Sequence, residues 1–426
     1  MFIRIYIPLK KELIVYRLKL LIKFFVEFLI KICSFSNILF FKCIRINSNH
    51  NFSEKYRKYN KKENLNLFIF KSGTMGDHLI IISVIQYLRS IGFSIDAFIV
   101  CRRKSIFPGI KTFGEKNNIK FIDYVNFLKN FPTTKKNRIV NNIFIDSEPN
   151  FRIGYLFGLI KKSDFISTNY ENNFDFLIEK SFKNISFSTF NENMSEGEYI
   201  LNLINKYLYQ SGRFNFKNKK NYKEFLISPK ITKEKLFEPK FLYFKKFLSS
   251  LDSNKENLYL YYGCSGKALH RLPSTEWLMS FIKLLKNEFN IVLVGGEKEK
   301  EFFRKFDASF NTDLLGKFSL CDWEVILSHS KFKMPLLSFD GGFTHLFGLY
   351  SNKIFQVFAS SNGKKWGHRS SKSRTYNCLK GGSPNYKPFK FKVPENCMIT
   401  NKAWEKTNPE LIVSLFKDWF FEIKNN

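Results

Sequence analysis

The stretch from Leu65 to Val100 constrains the fold most strongly. Leu65–Phe70 is a short apolar run, and a turn with two glycines follows it. A helical pattern then extends from about His78 to Ser90, and a second apolar run occupies Ile95–Val100. A strand, a helix and a strand in this order form a βαβ unit, and an apolar run without alternation is typical of a strand buried on both faces. The chain is therefore predicted to contain a parallel sheet covered by helices.

The same pattern returns in the second part of the chain. Predicted strands at Leu258–Tyr262 and Leu336–Phe339 each end in a glycine-containing turn, and Ser274 is placed to cap a helix that runs to about Asn287. Further strands are predicted at Ile143–Asp146, Ile291–Val294 and Ile354–Phe358. Two α/β halves in series are expected, joined by a lysine-rich segment around 215–245. Because ligands bind at the carboxyl ends of parallel strands, two facing halves predict a cleft between them.

A chain of 426 residues has room for two domains with their own cores. The predicted fold class is α/β with two facing Rossmann-like domains, an interdomain cleft and an N-terminal amphipathic helical extension. The predicted boundaries are 1–62 for the extension, 63–245 and 246–400 for the two domains, and 401–426 for a C-terminal helix.

The N-terminal extension is apolar but interrupted by charges. Between Leu13 and Ile44, charged side chains recur at helical spacing at Lys19, Lys23, Glu27 and Lys31, which places them along one side of a helix. No charge-free run approaches the roughly 20 residues of a membrane span. The favoured interpretation is a helix lying in the plane of a membrane surface, and the alternative is that the same apolar face packs on the protein itself. Both alternatives predict a cytoplasmic protein.

The net charge of +32 predicts attraction to an anionic partner, although a generally lysine-rich composition explains part of it. Aromatic residues are spread through the whole chain, so they give little support to nucleic-acid binding, and no nucleic-acid partner is expected. The seven cysteines form no C-x-x-C pair. A disulfide framework or a zinc site is therefore not expected, and a reducing compartment fits best.

The turn after the first strand carries a candidate catalytic carboxylate. In Ser72-Gly73-Thr74-Met75-Gly76-Asp77 the glycines permit a tight turn, and Asp77 falls in the first helical turn facing the predicted cleft. The third glycine of a dinucleotide fingerprint and the Gly-Lys-Ser/Thr of a P-loop are missing. Asp77 is a candidate general base, and the alternative is a carboxylate that only stabilises the helix N-terminus.

Two glycine turns of the second half are candidate sites for a diphosphate. Asp340-Gly341-Gly342-Phe343-Thr344-His345 follows a predicted strand and offers several amide donors, or else is a strand–helix corner with Asp340 as its cap. Gly263-Cys264-Ser265-Gly266-Lys267 and His270-Arg271-Leu272-Pro273 bring cations near the other turn, unless these are solvated loop charges. Glu297, after Gly295-Gly296, is placed to accept hydrogen bonds from a ribose or sugar hydroxyl, or to lie in a solvated charge run.

Taken in order and spacing, these three glycine-containing segments resemble glycosyltransferase family 9, the bacterial lipopolysaccharide heptosyltransferases. The resemblance covers roughly residues 65–400. It implies a GT-B architecture, with the acceptor on the N-terminal domain and the nucleotide-sugar donor on the C-terminal domain. It also implies an inverting, metal-independent transfer of heptose from ADP-L-glycero-D-manno-heptose to a lipopolysaccharide or lipooligosaccharide inner-core acceptor, without a cofactor.

The resemblance carries expected roles for individual residues. Asp77 matches the catalytic base. The expected donor-binding residues are Gly263, Ser265, Lys267, His270, Arg271, Glu297, Asp340, Gly341, Gly342, Thr344 and His345. The expected acceptor-binding residues are Gly73, Thr74, Gly76, Arg102 and Lys104, the last two in a basic loop that is otherwise simply solvated. No metal ligand is expected.

One departure from the family affects the donor site. The family usually has Lys-x-Trp-Pro where this chain has His270-Arg271-Leu272-Pro273. A histidine is mostly uncharged at neutral pH, so Arg271 or Lys267 must replace the phosphate-binding lysine, or the donor differs.

Two alternatives follow. One is a family 9 enzyme with another sugar donor, or with a protein or capsule acceptor; the other is a non-catalytic basic protein that binds a membrane surface. The expected partners of the favoured alternative are a nucleotide sugar, an anionic lipid-linked saccharide and the inner face of the inner membrane of a Gram-negative bacterium.

Overall fold

The computed structural model describes residues 65–71, 73–106, 108–130, 142–146, 164–169, 185–189, 194–210, 221–227, 233–263, 271–303, 314–329, 332–359, 361–378, 404 and 407–425. The predicted N-terminal helix and the residues Ser265, Lys267 and His270 lie outside these ranges.

The first half contains a parallel sheet of six strands in the order β3-β2-β1-β4-β5-β6. Its strands are β1 (Leu65–Phe70), β2 (Ile95–Cys101), β3 (Ile119–Asp123), β4 (Asn142–Asp146), β5 (Asp164–Asn169) and β6 (Ile185–Thr189). Its helices are α1 (Met75–Ser90), α2 (Pro108–Lys116), α3 (Tyr124–Asn130) and α4 (Glu196–Gln210).

Strand β1 is buried on both faces, as its apolar run predicts. Leu67 and Ile69 belong to the core beneath α1. On the other face, the ring of Phe68 stacks on that of Phe98 with centroids 4.6 Å apart. Helix α1 ends where Gly92 takes a left-handed conformation with φ of 99°, which a residue with a side chain rarely adopts. The chain then returns directly into β2, completing the predicted βαβ unit.

The second half contains a parallel sheet of five strands in the order β8-β7-β9-β10-β11. Its strands are β7 (Glu256–Tyr261), β8 (Phe289–Val294), β9 (Leu336–Phe339), β10 (Ile354–Phe358) and β11 (Ser373–Asn377). The remaining helices are α5 (Lys233–Leu236), α6 (Pro239–Ser249), α7 (Thr275–Leu285), α8 (Glu297–Phe303), α9 (Leu320–Ser328), α10 (Gly342–Gly348), α11 (Gly363–Trp366) and α12 (Pro409–Asn425).

Two apolar clusters form the core. One runs from α1 and α4 into α9 and α10, so it is shared by both halves. The other lies on the opposite face of the second sheet, between α7 and α12. The predicted cap of α7 is confirmed, since Ser274 Oγ accepts a hydrogen bond from the backbone NH of Trp277 at 3.2 Å.

Helix α6 crosses the predicted domain boundary at residue 245. Its buried Phe244 contacts the rings of Tyr259 and Trp323 in the second half. The packing of α6 therefore belongs to the second half.

In each sheet the order in which the chain adds strands reverses at one point, and this point positions the site. In the first sheet the chain order reverses between β1 and β4, and in the second between β7 and β9. Turns at the carboxyl ends of such neighbouring strands are where α/β sheets bind ligands. The motifs at Gly73, Gly263 and Asp340 all lie there. Among the described residues, none of the helices is both long and apolar enough to cross a membrane.

Candidate active site between the two sheets

The β1–α1 turn holds Asp77 in a defined position. One carboxylate oxygen, Oδ2, accepts hydrogen bonds from the backbone NH of Thr74 at 2.7 Å and from its hydroxyl at 3.2 Å. The other, Oδ1, lies 3.6 Å from Lys71 Nζ. A Cβ on Gly73 would lie 2.2 Å from the Asp77 carboxyl carbon, so this turn requires glycine there. The Asp77 side chain keeps 19% of its surface exposed, which leaves it accessible to a substrate.

The β9–α10 turn is shaped by Asp340 and two glycines. Asp340 is buried, lies 3.2 Å from Arg271 Nη1 and accepts a hydrogen bond from Ser361 Oγ. It does not cap α10, whose first residue is preceded by Gly341. A Cβ on Gly341 would lie 2.1 Å from the backbone oxygen of Gly263. The ends of β7 and β9 therefore approach as closely as only glycine allows, and Asp340 anchors the Arg271 guanidinium beside them.

These two turns, from different halves, touch each other. A Cβ on Gly76 would lie 2.6 Å from Cδ2 of His345, and one on Gly342 would lie 2.7 Å from Cε of Met75. The turn that carries the candidate base therefore packs directly against the turn that carries the candidate diphosphate loop.

Thr344 has a structural contact of its own. Its hydroxyl donates to Ser338 Oγ at 2.9 Å in a buried position. This hydroxyl is already used inside the second half, whereas Gly342 and His345 of the same motif contact the first half.

The glutamate that contacts the glycines after β8 is Glu299, whereas the sequence pattern indicates Glu297. Glu299 Oε2 accepts a hydrogen bond from the backbone NH of Gly296 at 2.7 Å, and a Cβ on Gly263 would lie 2.2 Å from Glu299 Oε1. Glu297 instead lies against Gly316, which has a φ of 75°, and it pairs with Lys300 at 3.7 Å. Glu299 is therefore the carboxylate that borders the β7 turn.

The predicted acceptor-side cations lie on the surface. Arg102 directly precedes a short 3₁₀ turn (Arg103–Ser105) after β2, and Lys104 lies in that turn. Both side chains are exposed at the carboxyl edge of the first sheet. Their role in acceptor binding stays a prediction.

The sequence gives little sign of a buried ion cluster that joins the halves. Lys71 at the end of β1, Glu196 in the first turn of α4 and Lys365 in α11 are all nearly fully buried. Lys71 Nζ donates to Glu196 Oε1 at 2.8 Å, and Lys365 Nζ lies 2.8 Å from Oε2. Burial opposes ionisation of the carboxyl, but the two ammonium groups outweigh it and hold the pKa of Glu196 at about 2.

Histidines near the site are biased toward the neutral form. Burial lowers the pKa of His345, against the opposing effect of the Asp77 and Asp340 carboxylates. Burial, together with the neighbouring His345, lowers the pKa of His368 to about 4. A neutral His345 can donate or accept a hydrogen bond in the cleft without adding charge.

A small cavity of about 50 Å³ lies behind His345. It is lined from both halves, by Ser83 and Glu196 on one side and by Lys365 and His368 on the other. Its volume suits ordered water and not a nucleotide. Across the described part of the chain, no group of three or more His, Cys, Asp or Glu side chains is arranged to hold a metal ion.

Comparisons with known proteins give similarity at the level of structure alone. No family model matches the chain, and no curated protein matches its sequence. The crystal structure of a glycosyltransferase of family 9 from Veillonella parvula is similar with a TM-score of 0.54 and 14% identity, over 84% of this chain and 98% of that one.

Two Escherichia coli structures are also similar. The ADP-heptose lipopolysaccharide heptosyltransferase II has a TM-score of 0.49 at 12% identity, over 84% of this chain and 99% of its own. The heptosyltransferase WaaC with ADP has a TM-score of 0.49 at 13% identity, over 83% of this chain and 100% of its own. The Veillonella structure carries the conclusion: the chain has the α/β GT-B fold of glycosyltransferase family 9, which confirms at the level of the fold the family resemblance and the fold class predicted from the sequence.

Proposed function

We propose that this chain is an inverting, metal-independent glycosyltransferase that transfers heptose from ADP-L-glycero-D-manno-heptose to an inner-core acceptor of lipopolysaccharide or lipooligosaccharide. The observation that carries the proposal is the contact between two turns. The turn that holds Asp77 at the end of β1 touches the glycine turn at the end of β9, across the two halves. Similar structures were determined with ADP and with ADP-2-deoxy-2-fluoro heptose, which supports a nucleotide sugar as the donor class.

In the proposed reaction Asp77 acts as the general base. The acceptor hydroxyl gives its proton to the Asp77 carboxylate while its oxygen attacks the anomeric carbon of the donor sugar. The bond from that carbon to the diphosphate oxygen breaks, and the electron pair leaves with ADP. Attack opposite the leaving group inverts the anomeric configuration. A positioned base of this kind contributes about 10² to 10⁴ in rate.

The second half stabilises the leaving group in this proposal. The amides of Gly341 and Gly342 and the Arg271 guanidinium face negative charge that develops on the diphosphate. Arg271 is held by Asp340 at 3.2 Å, and this fixed position lowers the cost of orienting it. Arg271 thereby supplies the cation that the family draws from lysine at the position of His270. No cofactor takes part.

The proposed setting is the inner face of the inner membrane of a Gram-negative bacterium. The net charge of +32 supports attraction to anionic lipid and to a lipid A–Kdo acceptor with its phosphates and carboxylates. The exposed Arg102 and Lys104 are the proposed acceptor contacts nearest the carboxyl edge of the first sheet.

The direct test is product analysis with purified protein. ADP-heptose and a Kdo-lipid A acceptor are incubated with the protein, and the products are separated and weighed by mass spectrometry. The proposal predicts release of ADP and an acceptor heavier by one heptosyl residue. Release of ADP without an increase in the mass of this acceptor would indicate that the protein uses another acceptor. If the protein turns over neither ADP-heptose nor any other nucleotide sugar, the proposal is contradicted.

A further inference from the structure

The buried ion cluster Lys71–Glu196–Lys365 connects three separate parts of the fold. Lys71 follows β1, and Glu196 lies in α4, so both belong to the first half; Lys365 belongs to the second half. Their side chains keep 4%, 3% and 3% of their surface exposed. Charges this deeply buried persist only when they are paired, because water does not stabilise them.

The cluster continues to the candidate base. Lys71 Nζ lies 2.8 Å from Glu196 Oε1 and 3.6 Å from Asp77 Oδ1, so it is shared between the two carboxylates. The four side chains thus form a row of alternating charge that begins in the second half at Lys365 and ends at Asp77. Two cations and two anions make this row formally neutral.

Aromatic contacts cross between the halves in both directions at the same place. Lys71 of the first half lies 5.6 Å from the ring centre of Trp366 in the second half. Lys365 of the second half lies 4.3 Å from the ring centre of Tyr199 in the first half. Moving the halves apart would break both contacts together with the Glu196–Lys365 pair.

Local structure fixes both ends of this connection. The Asn362 side chain accepts from the backbone NH of Lys364 at 2.9 Å, and the backbone NH of Gly363 donates to Asn377 Oδ1 at 2.9 Å, so α11 is tied to β11. On the other side, Glu196 lies in the first turn of a 15-residue helix, where the helix dipole favours a negative charge.

We propose that Glu196 is a positioning residue that couples closure of the two halves, through Lys365, to the placement of Asp77, through Lys71. In the closed arrangement Glu196 divides its charge between two lysines, and Lys71 stays within reach of Asp77. When Lys365 withdraws, Glu196 is left with Lys71 as its cation, and Lys71 is drawn from Asp77 toward Glu196. The base is thus correctly held when the halves are closed. This proposal rests on the proposed role of Asp77 as the base.

The test measures turnover in a double-mutant cycle. Glu196→Gln and Lys365→Met are each combined with Asp77→Asn, and kcat and the donor KM are determined per folded active site. Lys365→Met keeps an unbranched side chain of similar length and leaves the Lys71–Glu196 pair intact, so it serves where Glu196→Gln fails to fold. Glu115→Gln, which removes a partner of the exposed pair Lys111–Glu115, is the matched control.

The expected result is a kcat at least tenfold lower in each single variant, with the donor KM changed less than threefold. In the Asp77→Asn background the same substitutions should change kcat less than threefold, because their effect passes through Asp77. The control should keep the original kcat.

Two results would overturn the coupling. One is an unchanged kcat in Lys365→Met and Glu196→Gln; the other is a loss that multiplies with that of Asp77→Asn, as a general structural defect would give. If Asp77→Asn is as active as the unaltered protein, Asp77 is not the base. This result differs from the two above, so failure of the proposed base is distinguishable from failure of the proposed coupling.

Discussion

Replacing Glu196 with glutamine should destabilise the protein in a way that depends on pH. The carboxyl has a pKa of about 2 in the folded chain against a usual value of 4.5. Because each pKa unit corresponds to about 1.36 kcal/mol, this difference in pKa contributes about 3 kcal/mol to the free energy of folding. Removing one member of a buried ion pair typically costs about 3–5 kcal/mol, which agrees with that magnitude. At pH 7 the variant should therefore be less stable by about 3 kcal/mol or more.

The sign of the pH dependence follows from the lowered pKa. The unfolded chain takes up a proton at Glu196 near pH 4.5, but the folded chain takes it up only near pH 2. The stabilisation is therefore complete above pH 4.5 and is lost as the pH falls toward 2. By linkage about 1 kcal/mol remains at pH 3. The difference between the original protein and Glu196→Gln should shrink accordingly as the solution is acidified.

Thermal unfolding followed by circular dichroism at pH 7, 5, 4 and 3 measures this difference. For a domain of 150–250 residues, about 3 kcal/mol lowers Tm by roughly 6–12 °C. Glu115→Gln is the control: the side chains of Lys111 and Glu115 are more than half exposed, and such pairs contribute about 0.3–0.5 kcal/mol. If Glu196→Gln shifts Tm at pH 7 no more than the control does, or if its shift stays the same down to pH 3, the assignment of a buried, doubly paired carboxylate is refuted.

Three further substitutions test the site. Gly76→Ala places a Cβ 2.6 Å from Cδ2 of His345, so it should push the two turns apart. We expect kcat in the transfer assay to fall at least tenfold. An unchanged kcat would show that contact between the turns is not needed for transfer. Arg271→Ala should raise the donor KM about 10- to 100-fold, since a hydrogen bond to a charged group contributes about 1.5–3 kcal/mol; an unaltered KM would remove Arg271 from the donor site. Glu299→Gln should weaken ADP binding in calorimetry more than Glu297→Gln does, because Glu299 borders Gly263; the opposite order would return the role to Glu297.

The strands and turns that form the site could be predicted because each is a local pattern. Leu65–Phe70 and Leu336–Phe339 are apolar without alternation, as strands buried on both faces must be, and each ends in glycines where the backbone turns sharply. The order of the motifs then placed Asp77 after a strand of the first half and Gly341 after a strand of the second half. What the sequence predicts here is the topology of the site and the identity of its candidate base.

The glutamate beside the donor turn depends on where one helix begins. Glu297 and Glu299 are two residues apart, so on a helix their side chains point in widely different directions. Helix α8 begins at Glu297, and this start directs Glu299 back to Gly296. The first residue of a helix cannot be predicted from sequence to within two residues, so the sequence pattern offered no basis for choosing Glu299 over Glu297.

The ion cluster depends on long-range contacts. Lys71 and Glu196 are 125 residues apart, and neither has a neighbour in sequence that marks it as buried. In a chain with 69 lysines and arginines, a buried lysine is indistinguishable from a solvated one. The assignment of α6 to the second half is a similar case, since only the packed structure shows that Phe244 contacts Tyr259 and Trp323.

Comparing catalysis and donor binding in Asp77→Asn tests the role of Asp77 as the base. The variant keeps the size of the side chain but is a far weaker base, so kcat for heptosyl transfer should fall about 10²- to 10⁴-fold. Binding of ADP, measured by calorimetry, should stay within threefold, because the donor loop lies on the other half. Asp96→Asn, an exposed residue of β2, should change neither quantity. A kcat for Asp77→Asn within threefold of the original would show that Asp77 is not the base.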